Sequence, residues 1–108
     1  MLFRSIAVTA FGRDGALYDK ANRGTYIDFA APGVEIWTAV PEGGRTQSGT
    51  SFAVPYVTAQ IAVEVAGGAA SDPDSLRELL RPRVTDLGSP GPDEAYGWGV
   101  LAEAPRCR

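Results

Sequence analysis

Residues 48–68 read SGTSFAVPYVTAQIAVEVAGG, a short polar loop set directly before an almost unbroken apolar run. From Ser51 to Ala66 the apolar residues fall on nearly every face, and Gln60 and Glu64 are the only long polar side chains, which predicts a buried helix. Pro55 suits a first helical turn, where its missing N–H costs nothing, and Gly67-Gly68 supplies a left-handed stop. The loop then feeds the helix at Ser51, so a hydroxyl and several unpaired backbone N–H groups sit at the positive end of the helix dipole. Such a place favours a developing negative charge. A plainer reading makes Thr50 or Ser51 a simple N-cap, the commonest task of such residues.

Upstream, residues 5–11 (SIAVTAF) are rich in β-branched and apolar types and stop at Gly12-Arg13-Asp14-Gly15, which predicts a strand running into a turn. Residues 26–30 (YIDFA) predict a second strand closed by Ala31-Pro32-Gly33, and residues 35–40 (EIWTAV) a third, ended by Pro41-Glu42-Gly43-Gly44. Downstream, Ser71-Asp72-Pro73-Asp74 opens a second, amphipathic helix whose stripe is Leu76, Leu79 and Leu80, with Pro82 ending it. Residues 88–92 read as loop, and Tyr96, Trp98, Val100 and Leu101 in YGWGVLAEA can pack back onto the domain.

The chain has 108 residues, room for one modest core and no more. Hydrophobic residues make up 44% and charged residues 21%, so the composition is that of a folding chain rather than a disordered one. Ten Lys and Arg are spread thinly against thirteen Asp and Glu, leaving no basic stripe for a phosphate backbone, and nucleic acid is not an expected partner. The longest apolar stretch, residues 61–70, falls short of the ~20 residues of a membrane span, so no membrane partner is expected either. The start MLFRSIAVTAFG lacks the greasy length of a secretory signal, and a buried strand explains it better; the compartment stays open. Cys107 is the only cysteine, so no internal disulfide exists, and its place near the end suggests an exposed thiol. There is no histidine.

The segment GTSFAVPYVTA resembles the serine-nucleophile motif of the subtilisin-like (subtilase, peptidase S8) proteases through Gly49, Thr50, Ser51, Ala53, Pro55, Val57, Thr58 and Ala59. The flanks agree: IAVTAF is similar to the family's upstream strand, YIDFAAPGVEIWTAVP to its strand, APG turn and strand, and YGWGVLAEA to its closing segment. Tyr56 stands where many members carry His, outside the triad, and Phe52 where Met is common. The resemblance implies an α/β fold: the C-terminal part of a subtilisin-like three-layer domain, with a mostly parallel sheet and a buried central helix starting at the nucleophile serine. Residues 1–108 would then be a partial catalytic domain, without the segments bearing the Asp, the His and the oxyanion Asn. By the same resemblance Ser51 is the nucleophile, its backbone N–H one oxyanion donor, and Thr50 a support for that donor set. Gln47, Ser48 and Gly49 are left as leaving-group-side substrate contacts.

The chemistry limits that reading. A serine hydroxyl is a weak nucleophile until a neighbouring base takes its proton, and loss of the base in such a triad costs roughly a factor of 10⁶ in turnover. Lys20, the sole lysine, would serve only if desolvated beside Ser51. Asp14, Asp19 and Asp28 read as solvated turn residues, and Trp37, Tyr96 and Trp98 as packing aromatics. The expectation is therefore a serine endopeptidase segment, inert alone and acting on polypeptide when upstream sequence completes it. Competing with this are a non-catalytic remnant or truncated gene product, for which Met1 just before a central strand speaks, and an anion-binding module at residues 48–51. The last lacks the P-loop Lys and any G-x-G-x-x-G. An α/β-hydrolase elbow is disfavoured because Ala53 takes its last Gly position. No cofactor is expected; calcium, frequent in the family, has no identifiable carboxylate cluster here. A helix apolar all round in so short a chain also predicts self-association through exposed apolar surface.

Overall fold

A computed structural model describes residues 5–101, so Met1, Cys107 and the last residues of the closing segment lie outside the described part. Four strands, two α-helices and a 3₁₀ turn follow in the order β1 (Val8–Phe11), β2 (Phe29–Pro32), β3 (Ile36–Val40), β4 (Gly43–Gln47), α1 (Thr50–Ala66), α2 (Pro73–Leu80) and Arg81–Arg83. β1 and β2 pair in parallel, Val8 with Phe29 through Phe11 with Pro32. Beyond β2, the closing segment continues the sheet: Ala30 bridges Val100 in parallel, with Ala30 N–H on the Gly99 carbonyl at 2.9 Å and Leu101 N–H on Ala30 at 2.7 Å. Strand alternation splits this sheet into two faces. Ala10, Phe29 and Ala31 meet Ala53 and Val57 of α1, together with Leu80 and Leu101, to form the core, while Thr9 and Ala30 face the other way and are still buried.

The mixed α/β architecture follows the sequence expectation, with differences of local cause. The first strand is shorter than residues 5–11, and the second begins at Phe29, because Tyr26 is 43% exposed and residues 24–27 form a turn closed by Ile27 N–H on the Gly24 carbonyl at 3.3 Å. Residues 41–42 are a two-residue turn rather than the end of the strand region: the chain returns as β4, antiparallel to β3 from Ile36–Gln47 to Val40–Gly43. Gly43-Gly44 reads as a breaker in sequence, yet here it pairs with Ala39 and Val40.

Helix α1 begins one residue before Ser51, and Gly49 is its N-cap, so neither Thr50 nor Ser51 is the cap. Pro55 stands sixth in the helix, not in its first turn, and the hydrogen bond that a residue 55 N–H would give to the Ser51 carbonyl does not exist. Burial of α1 is confined to one stripe, Ala53, Val57 and Gln60, and Val54 and Val65 are 45% and 38% exposed. Within these residues it is thus a half-covered helix rather than a fully buried one. Its far end closes as expected: Gly68 has φ +102°, and the amides of Gly67, Gly68 and Ala69 fold back on Val63, Val65 and Glu64. Helix α2 is capped by Asp72, whose carboxylate accepts the Ser75 N–H at 3.0 Å, and it buries Leu76 and Leu80.

Candidate active site

Two hydrogen bonds fasten the loop that carries Ser51. Gly49 N–H donates to the Gly33 carbonyl at 2.8 Å, and the Ser48 hydroxyl accepts the N–H of Glu35 at 2.8 Å. Both anchors sit in the turn between β2 and β3, whose Ala31-Pro32-Gly33 sequence has a steric reason. A Cβ on Gly33 would lie 2.5 Å from Ala10 Cβ, 2.8 Å from the Gly49 carbonyl oxygen and 3.2 Å from Ala53 Cβ. Only glycine lets the turn touch strand, loop and helix at once. Glu35 adopts φ +55°, the one non-glycine positive φ among the described residues, at a cost of about 1 kcal/mol or more that its bond to Ser48 helps to offset.

The hairpin β3–β4 steadies the other side of the loop. Gln47 donates its side-chain amide to Thr38 Oγ1 at 2.7 Å, and Thr38 Oγ1 donates to the Arg45 carbonyl at 3.0 Å. Of the three residues read as substrate contacts, Gln47 and Ser48 therefore spend side-chain groups on the hairpin and the turn, and Gly49 spends its N–H on Gly33. Sequence reasoning missed Glu35 and Thr38, whose side-chain-mediated partners Ser48 and Gln47 lie thirteen and nine residues on and are adjacent only in the fold.

Ser51 is exposed, in the first turn of a 17-residue helix, and no side chain caps the N–H groups of that turn. Its hydroxyl and that of Thr50 have no hydrogen-bond partner among the described residues, so both are free to meet a ligand at the positive end of the dipole. A carbonyl oxygen turning into an alkoxide would find charge stabilisation there. No base stands ready: histidine is absent from the sequence. Lys20 lines a cavity of about 240 Å³ with Thr9 and Thr50, but it is exposed, and Ser51 is not among the lining residues. The desolvation that would turn a lysine into a base is missing.

Asp28, read as a solvated turn residue, is a structural one. Its side chain is 15% exposed, accepts the Ala7 N–H at 2.9 Å and pairs with Arg77 Nε at 3.1 Å, tying β1, β2 and α2 together. Its neighbours Phe29 and Ile27 gave no sign of this, because the partner lies forty-nine residues on. Asp14 does hold a turn, accepting the Ala16 N–H at 3.0 Å. Trp98 and Tyr96 pack as expected: Arg81 lies 3.8 Å from the Trp98 ring centroid, and the Tyr96 hydroxyl donates to Gly15 at 2.8 Å. Trp37, 71% exposed, lays its ring against Gly44 of the hairpin rather than entering the core. Among the described residues no three Asp, Glu or Cys side chains converge as a group that could hold a metal ion. No described helix is long and apolar enough to cross a membrane.

Comparison with known proteins supplies the wider frame. The model of the Subtilase family, Peptidase_S8, matches residues 4–99. The minor extracellular protease Epr of Bacillus subtilis (strain 168) is 33% identical over 97 residues, 89% of this chain and 15% of that protein. Subtilisin-like protease 1 of Trichophyton verrucosum is 41% identical over 87 residues, 75% of this chain and 21% of that protein. Among solved structures, a lanthipeptide protease superposes with a TM-score of 0.75 at 22% identity, over 89% of this chain and 39% of its own. The patellamide maturation protease PatA superposes at 0.66 with 32% identity, again over 89% and 39%. The chain thus spans about a fifth or less of these two relatives' length and about two fifths of the two solved chains.

Proposed function

Because the chain belongs to the subtilase family of serine proteases, we propose that it supplies the nucleophile segment of a serine endopeptidase and acts on polypeptide only when joined to the rest of such a domain. In this reading the Ser51 hydroxyl adds to a peptide carbonyl, its proton passing to a base held outside these residues. The carbonyl oxygen becomes an alkoxide facing the Ser51 N–H and the first turn of α1, with Thr50 beside it. Collapse of that intermediate expels the amine, which takes up the proton, and leaves an acyl ester on Ser51 that water hydrolyses. The observation that carries the reading is the placement of an exposed, unbonded Ser51 hydroxyl in the uncapped first turn of a loop-anchored helix. The absence of any histidine supports the further point that these residues alone lack the activating base.

A fluorophosphonate probe, which labels only activated serines, tests both parts. The 108-residue chain is expected to stay unlabelled. On mixing with the portion of Epr that precedes its region of similarity, Ser51 is expected to become labelled, and Ser51→Ala to remain blank. Stoichiometric labelling of the chain alone would overturn the dependence on a second segment; failure to label a formed complex would overturn the endopeptidase reading.

A further inference from the structure

The hairpin β3–β4 has two unlike faces. Residues directly opposite one another share a face, so Ile36 with Gln47 and Thr38 with Arg45 lie on one side, and Trp37 with Thr46 and Ala39 with Gly44 on the other. The first side carries the bonds of Gln47 and Thr38 that steady the Ser51 loop. On the second, Trp37, Ala39 and Thr46 are all exposed. The Trp37 ring is nevertheless held in place. A Cβ on Gly44 would lie 2.7 Å from Trp37 Cε2 and 3.0 Å from Nε1. The indole thus occupies the space a Gly44 side chain would take, with one side against the strand and the other toward solvent.

The face of an indole is electron-rich, and it attracts a cation more strongly than any other aromatic side chain does. The chain makes this contact elsewhere, where the Arg81 guanidinium carbon lies 3.8 Å from the centroid of the Trp98 ring. Over Trp37 no cation lies among the described residues. Arg45, the basic residue of the hairpin, stands opposite Thr38 and so belongs to the other face. The charges at hand are carboxylates: Glu35 and Glu42 flank the two ends of β3, both exposed and without an ion-pair partner among the described residues. Ring and negative charge together suit a basic side chain, whose apolar stem covers the indole while its head stays near a carboxylate. The platform also stands close to Ser51. Thr46, opposite Trp37, precedes Ser51 by five residues, a reach of at most about 18 Å.

We infer that Trp37 is a specificity-determining residue, whose indole receives an arginine or lysine side chain of the polypeptide substrate within about five residues of the bond that is cut. The count follows from the reach, since an extended peptide advances about 3.3–3.6 Å per residue. Glu35 and Glu42 supply the negative field around the ring. An acidic side chain in the same place would meet both carboxylates and the electron-rich face, so the preference works by repulsion as well as attraction. The inference rests on the endopeptidase reading for the identity of the ligand as substrate, but the basic preference comes from the hairpin alone.

Two measurements separate this from the reactivity of Ser51. In the 108-residue chain, the indole Nε1–H resonance of Trp37 is followed during titration with capped alanine pentapeptides that carry arginine, lysine or glutamate at the centre. The arginine and lysine peptides are expected to shift it saturably, and the glutamate peptide to bind at least threefold more weakly, while Trp98, already under Arg81, stays unmoved. Trp37→Ala, read at the amides of Gly44 and Thr46, is expected to weaken the arginine peptide about two- to fivefold, the range of a cation over an exposed indole. In the complex with the preceding portion of Epr, arginine is then placed at each of five positions on either side of the cleaved bond. At one of them kcat/KM is expected to fall about two- to fivefold more in Trp37→Ala than it does for the all-alanine peptide. A Trp37 resonance that ignores the arginine peptide, or follows the glutamate peptide equally, overturns the inference whether or not Ser51 is labelled. So does a shift of Trp37 with chain concentration alone, which would make a second copy the occupant, and so does a loss of kcat/KM spread evenly over all peptides. Basic-peptide binding at Trp37 without labelling of Ser51 in the formed complex leaves the platform standing and removes the endopeptidase reading.

Discussion

At the scale of single residues, Gly33 carries more of the site than its size suggests. The closest approaches of its absent Cβ are to Ala10 of β1, the Gly49 carbonyl oxygen and Ala53 of α1. Gly33→Ala is expected to destabilise the chain by about 1–3 kcal/mol through overpacking, measured as a lower urea midpoint with an unchanged slope. Wild-type stability in that variant would mean that the turn yields without disturbing the Ser51 loop. The loop-to-helix junction at Ser51 was legible from its sequence because a run of small residues ahead of an apolar stretch is local, and its geometry is set within a few positions. What surrounds it was not legible. Ser48 grips Glu35, Gln47 grips Thr38, and Asp28 grips Arg77 across 13, 9 and 49 residues, pairings that only the fold brings about.

Among the elements, α1 and the hairpin show where periodicity misleads. A helix apolar on every face was read as buried, and in a complete environment such a pattern demands cover on every side. Here β1 and β2 supply one side only, so Val54 and Val65 remain open. The hairpin was missed because Gly43-Gly44 satisfies the rule for a breaker while its neighbours satisfy the rule for a strand, and cross-strand pairing decided between them. Helix α2 was read correctly from its cap. Asp72 accepts the backbone N–H of Ser75, and that bond, followed by one to the Ser75 side chain, holds its carboxyl below the ordinary value of 3.8. A lowered folded value means the cap's contribution is complete above the unfolded value and is lost as pH falls through the folded one. The amide of Ser75 is therefore expected to exchange faster relative to its intrinsic rate below about pH 4, with no such change in Asp72→Asn, whose amide oxygen caps without titrating. Identical pH profiles for the two would assign the loss to another carboxylate.

At the scale of the whole molecule, the described residues form a parallel pair, β1–β2, with both α-helices on one face, and a separate antiparallel hairpin, β3–β4. The chain alone is expected to associate as concentration rises, through the open side of α1, since Val54 and Val65 add to an exposed apolar strip. Sedimentation of Val54→Lys/Val65→Lys is expected to shift the population toward monomer; a mass independent of concentration in the parent chain would remove this account. The linkage between the Ser51 loop and the turn at residues 33–35 has a consequence for the order in which the chain acquires structure. Those contacts close a loop of about fifteen residues built from a hairpin, whereas the pairing of Ala30 with Val100 must wait for seventy more residues to emerge. Short closures precede long ones, because the entropy of closing a loop rises with its length. During synthesis from the N-terminus, Ser51 would thus be positioned early, and the strand-like closing segment would lock the sheet last.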